Sequence, residues 1–151
     1  MYRLFYALSG AGLLALALTV AAPARNSYPP LDILLSGGET IIGQSFAYPD
    51  GPPKITAAIV TMIPGQSTGL HSHQVPLLAY MLEGELTVDY GTDGSLTYQA
   101  GDAFIEAFQT PHNGTNTGTE NARVLAVFAG SETAKNTVAQ PTLDVRAPKK
   151  P

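Results

Sequence analysis

Between residues 39 and 130 the chain alternates short apolar runs with Gly and Pro punctuation, and no segment after residue 25 holds a helical period. The run 54–63, KITAAIVTMI, is rich in β-branched residues and predicts a strand. Further strands are predicted over 77–82, 85–90, 95–99, 103–107 and 123–129, with a hairpin at GTDG, 91–94. The segment 40–48, closed by Pro-Asp-Gly-Pro, reads as another strand, and 31–35 as an edge strand. The stretch 109–121, QTPHNGTNTGTEN, reads as loop. Eight to ten short strands with Gly/Pro turns predict a single all-β domain, a sandwich or barrel.

The ends differ from this body. Residues 4–20 are apolar and small, Arg3 precedes them, and Ala22-Pro23-Ala24 matches the A-x-A pattern of a cleavage site. Residues 1–24 are therefore expected to be a signal peptide, which places the protein in the periplasm or outside the cell. The alternative is an uncleaved anchor through residues 4–20, since seventeen apolar residues just reach the length of a span. Residues 25–38 form a polar leader, 39–130 the barrel, and 131–151 a polar C-terminal tail that packs in part.

Charge and cysteine content narrow the chemistry. Net charge is −4, and cleavage takes it to about −5 by removing Arg3 and no acid. An acidic surface repels a phosphate backbone, so nucleic acid is not an expected partner. With no cysteine there are no disulfides, thiolate ligands or thiol nucleophiles, and any metal must be held by nitrogen and oxygen.

The chain has three histidines, His71, His73 and His112. Positions i and i+2 of a strand share a face, so His71 and His73 can converge on one point. Imidazole is the commonest ligand for divalent transition metals, and the three residues form the candidate metal site. Glu83 and Glu106 are the nearest carboxylates that could act as a base, and both are expected to face solvent. Asn116 is expected to hydrogen-bond within the His112 loop. Asn113-Gly114-Thr115 matches a glycosylation sequon, but beside His112 it reads as part of a Gly/Asn loop.

Two spaced motifs give this pattern a family. Gly65, five residues, His71-Ser72-His73, three residues, Leu77, six residues and Gly84 resemble the first cupin motif. Gly101, five residues, Ala107-Phe108-Gln109, two residues, His112, three residues and Asn116 resemble the second, with its central Pro and Gly replaced. Over residues 39–129 the chain thus resembles a small single-domain cupin, which implies a jelly-roll β-barrel with one divalent metal (Zn, Fe, Mn, Ni or Cu). The family's carboxylate ligand falls at position 77, and Leu77 cannot bind metal. The resemblance then implies three neutral imidazoles and two or three open coordination positions that favour anionic or chelating ligands. By strand parity Leu77, Ala79 and Met81 line the pocket.

The cupin resemblance implies a metal-dependent enzyme for a small oxygenated molecule, an isomerase or lyase, or a dioxygenase with Fe(II). A non-catalytic module that binds or senses a small ligand or metal is the alternative. A homodimer is implied by resemblance alone.

Overall fold

The structure is a computed structural model, and it describes residues 29–141. The expected signal segment 1–24, the first part of the leader and residues 142–151 lie outside the described residues. Residues 32–141 belong to one compact unit.

Among the described residues there are nine strands: β1 (Pro53–Met62), β2 (His71–His73), β3 (Leu77–Glu83), β4 (Glu85–Asp89), β5 (Ser95–Gln99), β6 (Ala103–Ile105), β7 (Asn113–Thr115), β8 (Ala122–Ser131) and β9 (Thr137–Ala139). Among the described residues the only helical element is a 3-10 turn at Gly91–Asp93, which closes the β4–β5 hairpin. All strand pairs are antiparallel. One sheet has the order β1-β8-β3-β6, a second β5-β4-β7, and β2 pairs with β9. Single bridges from Ser67 to Thr115 and from His71 to His112 join β2 to the second sheet. The result is an all-β fold of jelly-roll type.

Alternation fixes which face is buried. Along β3, Leu77, Ala79 and Met81 are buried while Leu78 is exposed, and β4 and residues 122–127 of β8 alternate in the same way. The core between the sheets is built from Met62, Ala79, Met81, Leu86, Val88, Phe104 and Val124. A fully buried side chain such as Met81 contributes about 1.5–3 kcal/mol by leaving water. Gly84, the last residue of the first motif, turns β3 into β4 at φ +73°. A Cβ there would stand 2.5 Å from the Asn121 carbonyl oxygen and 2.9 Å from the Ala122 Cα, so only glycine fits.

Three segments differ from expectation. Residues 31–35 form no strand, and Ile33 and Leu34 are exposed. Residues 40–48 form no strand: 40–44 make a turn and 46–48 are irregular. The Thr40 N–H donates to the Gln44 carbonyl at 2.8 Å, and Gly43 takes φ +74°. Only a single bridge from Glu39 to Ser45 remains. Within the expected loop and tail, Asn113–Thr115 and Thr137–Ala139 add strands. Both are three residues long, too short to show a period in the sequence.

Candidate metal centre

The close histidine pair lies on β2, where parity sends His71 and His73 inward. Ser72 faces the other way and accepts hydrogen bonds from the amides of Gln74 and Gln140. His112 arrives from the second motif and exchanges both backbone hydrogen bonds with His71, at 3.0 and 2.8 Å. It is therefore the direct cross-strand neighbour of His71, and its side chain meets the same face. The three ring centroids lie 4.5–5.0 Å apart, and one nitrogen of each ring falls within 4.8 Å of the other two.

Hydrogen bonding orients every ring. The Nδ1 of His71 faces the Gly69 carbonyl at 2.8 Å, and that of His112 faces the Thr110 carbonyl at 2.9 Å. His73 Nδ1 lies 3.1 Å from Thr137 Oγ1 and 3.3 Å from the Asn136 carbonyl, both supplied at the start of β9. A carbonyl can only accept, so the proton sits on Nδ1 and the Nε2 lone pair is free. His112 Nε2 is buried and has no hydrogen-bond partner. A buried nitrogen with an unshared lone pair is costly unless it meets a cation. Burial, with neighbouring imidazoles for two of the rings, holds all three below the usual histidine range, His73 down to about 3. The triad is thus neutral and poised to donate, and the residues fit a divalent metal.

The carboxylates separate sharply. Glu83 faces solvent and pairs with Arg123. Glu106, also expected at the surface, is instead buried at 6 % exposure. Its Oε1 accepts from the Ala107 N–H at 2.8 Å, and its Oε2 lies 4.0 Å from His112 Nε2. The correction follows from parity with Phe104, two residues earlier, whose apolar side chain marks the inward face. Burial raises the Glu106 pKa, against the lowering effects of the Ala107 N–H, Tyr90 and His71. The Tyr90 hydroxyl beside it shares a 2.9 Å hydrogen bond with Tyr98. Burial pushes Tyr98 up to about 12 and Tyr90 further, so both phenols stay protonated.

A cavity of about 350 Å³ opens over this cluster. Leu77 and Ala79 lie in its wall with Val60, Leu70, Val124 and Phe128, and His71, His73, Glu106 and Thr137 supply polar atoms. Met81, one pleat deeper on the same strand, is fully buried in the core and is not in that wall. Asn116 is structural: its amide donates to the carbonyls of Met62 and Glu120, each at 2.8 Å, and its Oδ1 receives the Gly118 N–H. Asn113 and Gly114 belong to β7, and the Asn113 Oδ1 accepts from Ser67 at 2.6 Å.

Comparison with known proteins agrees with this geometry. The family model described as Cupin domain matches residues 58–128. Among solved structures, the oxalate decarboxylase of Lactobacillus farciminis, in a formate complex, is 27% identical with a TM-score of 0.50. That match covers 56% of this chain and 26% of the other. The Bacillus subtilis oxalate decarboxylase is 29% identical with a TM-score of 0.48, over 56% of this chain and 23% of that one. The chain thus spans about a quarter of the length of these enzymes. No curated protein matches the sequence.

Proposed function

From a jelly-roll fold that brings three imidazoles to one point, we propose that the protein is a mononuclear metal cupin. In this reading it takes a small molecule with an apolar body and an oxygen-bearing head group, and acts on it in the cavity. The observation that carries the reading is the triad itself: three neutral rings with Nδ1 engaged by oxygen acceptors and Nε2 left to donate. A bound divalent metal would supply Lewis acidity and, if redox-active, access to dioxygen chemistry. His71, His73 and His112 would hold it. The apolar wall excludes water from the substrate's body, and among the described residues Glu106 is the one carboxylate in the cavity wall.

Substrate class follows from the wall. Likeness to oxalate decarboxylase suggests a small carboxylic acid. Among the described residues, however, no lysine or arginine lines the cavity, so a second carboxylate would lack a counter-charge. A single head group on an apolar body fits better. The apolar wall also suits the second reading, a module that binds such a molecule without turnover. The Ala22-Pro23-Ala24 pattern after residues 4–20 supports export to the periplasm or beyond.

Metal analysis of the purified protein tests the site: about one equivalent per chain is expected, and His71→Ala should bring it close to zero. Unchanged metal in His71→Ala would overturn the assignment. Cobalt-substituted protein, titrated with monocarboxylates of growing alkyl length and with oxalate, tests the substrate class. The visible spectrum should respond at lower concentration as the chain lengthens, and tighter binding of oxalate would sink the apolar-body reading. Oxygen uptake or product formation with the ligands that bind separates enzyme from binding module.

A further inference from the structure

The first motif lacks its carboxylate, yet a carboxylate stands in the cavity beside the triad. In the β3–β6 ladder Leu78 pairs with Ile105, Ala79 with Phe104 and Tyr80 with Ala103. Continuing that register by one residue sets Glu106 directly opposite Leu77. The Glu106 N–H does donate to the Leu77 carbonyl, at 2.9 Å. Cross-strand partners project from the same face with Cβ atoms about 5 Å apart. Glu106 and Leu77 accordingly line the same cavity.

The local chemistry calls for a cation. His112 Nε2 carries a lone pair because its Nδ1–H is given to Thr110. Glu106 Oε2, 4.0 Å away, is also an acceptor when ionised. Two buried acceptors facing each other repel, and 4.0 Å is too long for a hydrogen bond between them. That separation lies within the summed reach of one metal–nitrogen and one metal–oxygen bond, about 4.3 Å, so both atoms could bind one ion. The remaining oxygen is fixed by the Ala107 N–H, which holds the carboxylate in place.

We propose that Glu106 is the carboxylate ligand of this centre, moved one strand across the sheet from position 77 to its cross-strand partner. The inference rests on the metal reading above. It makes the centre a three-histidine, one-carboxylate site, with one negative charge offsetting the metal.

Competition with a chromophoric chelator, using Zn(II) and Co(II) on the folded metal-free proteins, tests it. Glu106→Gln keeps the side-chain shape and can still accept from Ala107. It should weaken metal binding by about 100-fold and alter the Co(II) visible spectrum. A second variant, Leu77→Glu with Glu106→Leu, returns the carboxylate to the other strand and should recover binding to within about tenfold of wild type. Wild-type affinity and spectrum in Glu106→Gln, with binding lost in His71→Ala, would overturn the proposal and leave the metal site standing. Binding retained in His71→Ala would overturn both. A folded double variant as weak as Glu106→Gln would show that the two positions are not interchangeable, against the proposal.

Discussion

Gln109 is the one non-glycine described residue with a left-handed backbone, at φ 56°. It occupies the glycine position of the second motif, and its N–H donates to the His73 carbonyl at 2.8 Å. The side chain therefore sits where a Cβ is disfavoured by about 1–2 kcal/mol. Gln109→Gly is expected to raise stability by roughly 0.5–1 kcal/mol after the entropy of the freer unfolded chain is counted, read as a higher urea midpoint. The histidines and Glu106 make a second residue-level prediction, for the metal-free protein. The rings are held below 6.5, so the unfolded chain takes up their protons first and stability is withdrawn as pH falls from 6.5, with the His73 contribution ending near 3. Glu106, held above 4.5, acts oppositely: its burial costs stability as pH rises past that value. Urea midpoints should fall between pH 7 and pH 5, and fall more steeply in Glu106→Gln. The histidine pair was legible because spacing alone sets its common face. Glu106 was harder, because a charged residue defaults to solvent unless its parity with Phe104 is given more weight than its charge.

At the scale of elements, Gly84 and β9 matter most. Gly84→Ala would combine a left-handed backbone with a Cβ pressed onto Asn121, and is expected to cost about 2–4 kcal/mol in the urea unfolding free energy. The β2–β9 ladder carries Asn136 and Thr137 to the His73 ring. Val138→Pro removes a backbone donor from the middle of that ladder and should lower metal affinity roughly 10- to 100-fold by chelator competition, because the ring loses its support. The long strands β1, β3, β4 and β8 were readable from β-branched runs and period-two burial. Residues 40–48 were not, since Ile41 and Ile42 mimic a strand while Thr40 and Gly43 set the turn. β9 was hidden for another reason: three residues gain their conformation from pairing with β2, a partner more than sixty positions away.

For the molecule as a whole, the strand pattern predicted a sandwich or barrel, and only the resemblance to cupins implied a jelly-roll. Every ring meets a backbone carbonyl at Nδ1, His112 that alone, and His71 and His73 a threonine hydroxyl as well, from Thr68 and Thr137. Carbonyls do not change when side chains do. The donor set is therefore insulated from drift at Val60 or Val124, which shape the cavity from other strands. Such a scaffold can change the molecule it accepts while its inorganic chemistry stays constant. Val60→Phe and Val124→Ala should each leave metal stoichiometry at wild-type level while re-ranking the monocarboxylates by chain length, so that recognition and reactivity can evolve on separate schedules.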